Sequence, residues 1–190
     1  MTTPPRPRSR APSVIAAIIV LPLLYLGWNM WYFSRLQSDI DARARDVAAA
    51  YNDILAKDLT PTLAAKQGEL APEAQTALAT INGTSIATNG QSLRQVLEGI
   101  VRVQTGLTQF VRTLPSGDAM RQTATFASLQ KDIADEHMNP LLLPYNRKAQ
   151  EWNNALEAGV GKMFARARHW EKVQLLRPDG RVEYETTATF

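Results

Sequence analysis

His137 stands beside Asp132, Asp135 and Glu136, a dense acidic patch with a histidine in it. Carboxylates and imidazoles projecting from facing helices build di-metal centres, but that chemistry needs Glu-x-x-His on two helices and further glutamates on two others. The chain has 2 histidines in all, and adjacent residues such as 136 and 137 diverge by about 100° around a helix. The patch reads as a solvated acidic helix face, and neither a metal nor another cofactor is expected. With no cysteine, disulfides and thiolate metal sites are excluded. No serine sits in a Gly-x-Ser-x-Gly elbow, and no glycine-rich loop precedes a lysine at P-loop spacing. Residues 82–90, Asn-Gly-Thr-Ser-Ile-Ala-Thr-Asn-Gly, read as a loop too poor in glycine to cradle phosphate. No catalytic residues are expected, and the chain does not read as an enzyme.

Two basic groupings suggest binding. Arg6, Arg8 and Arg10 form a compact N-terminal arm, and Lys162, Arg166, Arg168, His169 and Lys172 surround Phe164 and Trp170 near the C-terminus. The arm is the better candidate for contact with lipid headgroups. The C-terminal set fits either an amphipathic surface for anionic lipid or an ordinary solvated face diluted by Glu157 and Glu171, and the solvated face is the expectation. A net charge of +3 with 21% charged residues is too mild for a dedicated nucleic-acid binder.

A third pattern is structural. Tyr145-Asn146 recurs seven residues later as Trp152-Asn153. Seven residues advance a helix two turns with a drift of only about 20°, so both rings share one face and both amides lie beside them. Rings on such a face bury large areas, and an amide at a buried seam fixes register because it must find a mate. The expectation is that Tyr145, Asn146, Trp152 and Asn153 lock the last helix against the helix of residues Leu93–Leu114.

The elements that must position these groups begin with an uncharged run from Val14 to Phe33. About 20 apolar residues at about 1.5 Å each cross a hydrocarbon layer of about 30 Å. Pro22 is tolerable there, and Trp28, Trp31 and Tyr32 gather at one end as interfacial aromatics do. A cleaved signal peptide would need a small-residue site after the run, and Gly27-Trp28-Asn29 is a poor one. An uncleaved single-pass anchor is therefore expected in residues 14–33, after a basic arm in residues 1–13. The three arginines on each side tie under the positive-inside rule. The compact arm and free amino group tip the expected orientation toward the N-terminus inside.

Beyond the span, Leu36, Ile40, Val47, Tyr51, Ile54 and Leu55 keep helical spacing, so the membrane helix is expected to run straight on. Thr60-Pro61 reads as a cap and first position where one helix ends and another restarts. Gly68 and Pro72 weaken the next stretch. Ser92 and Gln95 fit a capping box ahead of Leu93, Val96, Ile100, Val103, Leu107, Phe110 and Leu114, an unbroken heptad seam. Gly99 and Gly106 on that helix either admit a close neighbour or merely loosen it. A further helix from about Asp118 places Met120, Phe126, Leu129, Ile133 and His137 inward. The prolines of Asn-Pro-Leu-Leu-Leu-Pro, 139–144, interrupt the pattern, and a last helix starts near Tyr145 with Leu156, Val160, Met163, Ala167 and Trp170 as its stripe. Residues 177–190 open with a Pro-Asp-Gly turn and end as a loose tail. The fold class is all-α: a transmembrane helix continuing into an antiparallel bundle of three to four long helices over residues 34–176.

Tyr145-Asn146 with Trp152-Asn153 resembles the C-terminal signature of the LemA family. Phe126 to Ile133, containing Leu129 and Gln130, is similar to that family's Phe-x-x-Leu-Gln segment. Asp58 to Leu63 is similar to its Asp-Leu-Ile-Pro-Asn-Leu segment, with Asp58, Leu59, Pro61 and Leu63 matching. The motifs follow one another in family order after an anchor, across about residues 15–165. Departures mark a divergent member: Ala56-Lys57 and Leu142 stand where the family has arginines, and Val160-Gly161-Lys162 lies where Phe-Pro is usual. The resemblance implies a bundle held at the bacterial inner membrane, and no particular chemistry. The expected function is protein–protein interaction or scaffolding, with an unidentified protein partner, integral contact with lipid and self-association. The alternative is a lipid-binding or membrane-shaping protein that uses the basic arm and last helix.

Overall fold

The computed structural model describes residues 11–64, 70–81, 85–157, 159–177 and 182–183; the side chains of residues 11–17, 62, 64, 135, 136, 182 and 183 fall outside that description. The basic arm with Arg6, Arg8 and Arg10 also lies outside the described residues.

Helix α1, Ala11–Ile54, runs unbroken for 44 residues with Pro22 inside it. Its character changes part-way. Ile18, Leu21 and Leu24 are about two-thirds exposed, at 66%, 65% and 64%, and exposure continues through Trp28. From Phe33 on, Leu36, Ile40, Ala44, Val47, Tyr51 and Ile54 are buried at steps of three and four, the stripe of a helix packed on one side. Asn29, a polar residue within the apolar run, donates from Nδ2 to the Tyr25 carbonyl at 2.7 Å, which satisfies one of its amide hydrogens within the helix. Among the described residues no helix is long and apolar enough to cross a membrane. The apolar run of the sequence begins at Val14, ahead of Ile18, the first side chain described.

The expected break at Thr60-Pro61 is absent. A π turn, Leu55–Leu59, leads directly into α2, Thr60–Ala64, and Thr60 is helical rather than a cap. Its N–H bonds back to the Leu55 carbonyl, as does its hydroxyl at 2.8 Å. The wider turn comes just before Pro61, which has no N–H to give, and it rolls Asp58 and Leu59 inward.

Helix α3, Pro72–Ile81, starts on Pro72 instead of being weakened by it; at a first position the missing N–H costs nothing. Helix α4, Leu93–Thr113, has the expected capping box, and every seam residue from Val96 to Leu114 is buried, with Leu93 half-buried. Both glycines serve close approach: a Cβ on Gly106 would lie 2.5 Å from Ile81 Cγ1, and one on Gly99 would lie 3.0 Å from Ile86 Cγ2. Thus α3 and the strand-like segment after it run antiparallel to α4.

A 3-10 turn, Ala119–Gln122, is capped by Asp118, and α5, Ala124–Asp132, is capped by Thr123. Met120, Phe126 and Leu129 face inward as expected and Ile133 is half-buried, but His137 is exposed. Helix α6, Asp135–Glu157, passes through both Pro140 and Pro144, so the expected interruption at residues 139–144 does not occur. Both prolines lie beyond the first turn, so each removes one interior bond of α6, and Leu142 and Tyr145 anchor the helix between and beside them at 1% and 0% exposure.

The expected last helix is divided. A left-handed Gly159 separates α6 from α7, Gly159–Arg168, so the stripe set by α6 does not continue and Met163 and Ala167 are exposed. His169 ends α7 in the left-handed position (φ 53°), with the Trp170 N–H closing back on the Ala165 carbonyl. The chain then turns extended. Leu175–Leu176 (β1) pairs antiparallel with Val182–Glu183 (β2), so residues 182–183 of the expected loose tail are paired rather than loose.

The three long helices are α1, α4 and α6. Arg45 reaches the Gln91 carbonyl and Tyr51 meets Gln104, so α4 runs parallel to α1, the return being made through α3. Phe33 packs on Trp152 while Asp58 meets Asp132 just ahead of α6, so α6 runs antiparallel to α1. The bundle is therefore mixed in direction rather than antiparallel throughout.

Candidate functional site: aromatic–asparagine clasps

Adjacent residues on a helix point about 100° apart. When the first faces the core, the second sits at the edge of the buried stripe, where a passing segment can lie. Tyr145 and Trp152 occupy the inner position, 0% and 3% exposed, and Asn146 and Asn153 the edge. All four residues bond to the extended C-terminal segment, not to α4.

The contacts repeat. Asn153 donates from Nδ2 to the Val173 carbonyl at 2.8 Å and accepts the Val173 N–H on Oδ1 at 2.8 Å. Asn146 does the same to Leu176, at 2.7 and 2.8 Å. The Trp152 indole N–H donates to the Glu171 carbonyl at 3.0 Å, and the Tyr145 hydroxyl to the Gln174 carbonyl at 2.7 Å. Moving back seven residues along α6 moves the contact forward three residues along the segment, for the amides and the rings alike. Seven helical residues rise about 10.5 Å, and three extended residues span about 9–10 Å. The two repeats match, and that match sets the register.

An amide side chain offers a donor and an acceptor side by side on separate atoms, as a neighbouring strand would. The expected register role of these residues thus has a different mate from the one expected: backbone of residues 171–176, in place of a facing helix.

A third clasp escaped the sequence reading. Asn52, directly after Tyr51, donates to the Ile86 carbonyl at 3.0 Å and accepts the Ile86 N–H at 2.8 Å. It holds the segment before α4 against α1, and Tyr51 reaches inward to Gln104, whose Nε2 donates to the Tyr51 hydroxyl at 2.7 Å. The signal was present, because Tyr-Asn at 51–52 repeats the dipeptide of 145–146.

Trp152 also belongs to an aromatic cluster with Phe33 at its hub. Ring centroids from Phe33 are 5.9 Å to Trp152, 6.0 Å to Phe164 and 5.4 Å to Trp170. One residue of α1 therefore gathers α6, α7 and the extended segment. Gly161 makes the approach possible: a Cβ there would lie 1.8 Å from the Ala155 carbonyl oxygen and 3.0 Å from Phe33 Cζ.

The remaining motif residues cluster elsewhere. Asp58 is buried and bonded to Ser128 and Asp132 on α5. Burial, together with the Asp132 carboxyl beside it, pushes the Asp58 carboxyl above the usual aspartate range, against the Ser128 hydrogen bond that favours its charged form. Phe126 and Leu129 are fully buried, with Phe126 edge-on to Phe110, whereas Gln130 and Pro61 are exposed. Asp58 lies 25 residues beyond Phe33 on α1 and its π turn, about 37 Å along the axis, so the motifs do not form a single site.

No family model matches the chain, and no curated protein or solved structure matches it.

Chemically, the clasps are made of neutral amides, a phenol and an indole, each engaged with main chain. A cleft of about 420 Å³ lies beside the extended segment, bounded by Gln37 and Ile40 on α1, Leu93 and Leu97 on α4, and Trp170 and Lys172. Among the described residues no three histidine, aspartate or glutamate side chains converge as metal ligands. The arrangement fixes the position of the extended segment on α6. Glu151 adds to it: Lys148 and the Tyr32 hydroxyl, at 2.9 and 2.8 Å, hold its carboxylate below the usual glutamate range and tie α6 to α1.

Proposed function

We propose that the chain is a single-pass membrane protein whose helical bundle works by protein–protein interaction or scaffolding at the bacterial inner membrane, without catalysis. The observation that supports this reading is α1 itself. One helix is bare and apolar from Ile18 to Trp28, then becomes a core helix of the bundle from Phe33 to Ile54. A soluble domain gains nothing from leaving such a stretch exposed, whereas lipid covers it. Counted from Val14, the uncharged run has the length of a hydrocarbon layer. The continuous helix and the Phe33 hub would pass any tilt or rotation of the span to the bundle as a rigid unit. The short LemA-like motifs are consistent with that architecture.

Membrane attachment is tested by alkaline carbonate extraction of cells expressing the full chain. Retention in the pellet supports the anchor; release with peripheral proteins refutes it. Interaction is tested by placing a photocrosslinking residue at Leu143, an apolar side chain 69% exposed on α6, and at other exposed positions. Discrete crosslinked species, from a partner or a second copy, are expected from one face. A uniform absence of products from an anchored, folded protein would refute the scaffold reading.

A further inference from the structure

Helix α7 has no assigned role in the clasps, and its position is specific. Phe164 and Gly161 both contact Phe33, the last residue of the apolar run. Trp31, two residues earlier on α1, is half exposed at 50% and stacks under the Arg35 guanidinium at 5.5 Å. Two residues of helix rise only about 3 Å. The inner face of α7 is therefore level with the point where α1 passes from bare to covered.

The outer face of α7 is cationic. Lys162, Met163 and Arg166 are exposed together, with Arg168 and His169 at the end, and Met163 is 68% exposed. Residues 158–170 contain no aspartate or glutamate. Among the described residues, Lys162, Arg166 and Arg168 have no ion pair, while the neighbouring Lys172 is engaged by Glu157. Glu171 is the acidic side chain closest in sequence after α7.

Resting on the membrane-anchor reading above, we propose that α7 and Arg35 form a cationic collar that seats on anionic phospholipid headgroups where α1 leaves the bilayer, with Met163 entering the headgroup layer. Unpaired cations beside an apolar side chain at that depth match an anionic interface in both charge and polarity. The collar adds a second point of attachment to the span, off its axis, and so fixes the rotation of the bundle about α1. It also gives the cations a partner that they lack among the described residues.

The chain lacks cysteine, so single spin labels can be introduced on the full-length protein at Met163→Cys, Trp28→Cys and, as a water-exposed reference on α4, Gln109→Cys. Each is reconstituted in phosphatidylcholine bilayers and in bilayers with about one-third phosphatidylglycerol. Collision with a water-soluble nickel complex and with oxygen then reports depth. The label at 28 should be immersed in both. The label at 163 should lose nickel access several-fold in the anionic bilayer relative to phosphatidylcholine, and regain it in high salt. Combined Lys162→Gln, Arg166→Gln and Arg168→Gln should abolish the difference while leaving the label at 28 immersed. A label at 163 as nickel-accessible as that at 109 in both bilayers, with 28 immersed, overturns the collar alone. Shielding that is equal in both bilayers, as an acidic protein partner would give, also overturns it. A water-exposed label at 28 removes the anchor reading and the collar with it.

Discussion

Asn153 exchanges two hydrogen bonds with Val173, donating to its carbonyl and accepting from its amide, both at 2.8 Å. One side chain thereby supplies what a neighbouring strand would supply. Asn153 is 4% exposed, so water cannot easily replace it.

Asn153→Leu should therefore cost about 1–3 kcal/mol, because it strands both the N–H and the carbonyl of Val173. Thermal unfolding should shift down, and hydrogen exchange at Val173 should accelerate more than at α4 amides. Unchanged unfolding would show that the clasp contributes nothing. Asn153→Asp keeps the acceptor but sets a carboxylate against the Val173 carbonyl, and should be at least as damaging.

The helix α4 glycines separate by the space around them. Gly106→Ala would press a methyl to 2.5 Å from Ile81 Cγ1, and should destabilise by about 1–3 kcal/mol. Gly99→Ala meets the Ile86 Cγ2 methyl at 3.0 Å, which a shift of a few tenths of an ångström relieves, and gains helix propensity. It should be within about 1 kcal/mol of the parent. Equal losses at the two sites in denaturant titrations would contradict this account of the α3–α4 contact.

Gln104 and Tyr51 form a buried polar pair in which the Gln104 Oε1 has no hydrogen-bond partner. Burial raises the Tyr51 hydroxyl well above its ordinary value, against the Gln104 hydrogen bond, so it stays neutral. Tyr51→Phe should cost about 1–2 kcal/mol by orphaning the rest of the amide. Gln104→Met in the same background should recover most of that, since both polar partners are then gone. Failure of the second substitution to rescue the first, in a double-mutant cycle, would mean that the amide has another role.

Asp58 predicts a pH dependence of definite sign. Its native pKa is raised, so the folded chain holds the proton more tightly than the unfolded chain. Its contribution to stability is complete below the unfolded value of about 3.9 and is lost as pH rises through the native value. Asp58→Asn should therefore unfold at a higher temperature than the parent near pH 7, with the difference closing towards about pH 4. A pH-independent difference would refute the assignment.

Much of the helical framework was legible because it rests on periodicity. The seam from Val96 to Phe110 and the core stripe from Leu36 to Ile54 follow from spacing alone, and the Ser92 capping box from two side chains. What was misread depended on partners remote in sequence. Pro140 and Pro144 look like breakers in isolation, yet buried Leu142 and Tyr145 hold α6 through them. The π turn at Leu55–Leu59 leaves no signature beyond Pro61 itself. The Tyr145–Asn153 repeat announced a register device, but a helical period cannot reveal that its mate is extended chain, because the match of seven residues to three exists only between two different conformations.

That unequal gearing has a consequence for variation. The Asn146 and Asn153 amides grip main chain, so Glu171, Lys172 and Gln174 are free to change identity without loosening the grip. The number of residues between Glu171 and Leu176 enjoys no such freedom. A single inserted or deleted residue there would slide every tooth past its notch, so length, rather than spelling, is what this stretch must inherit.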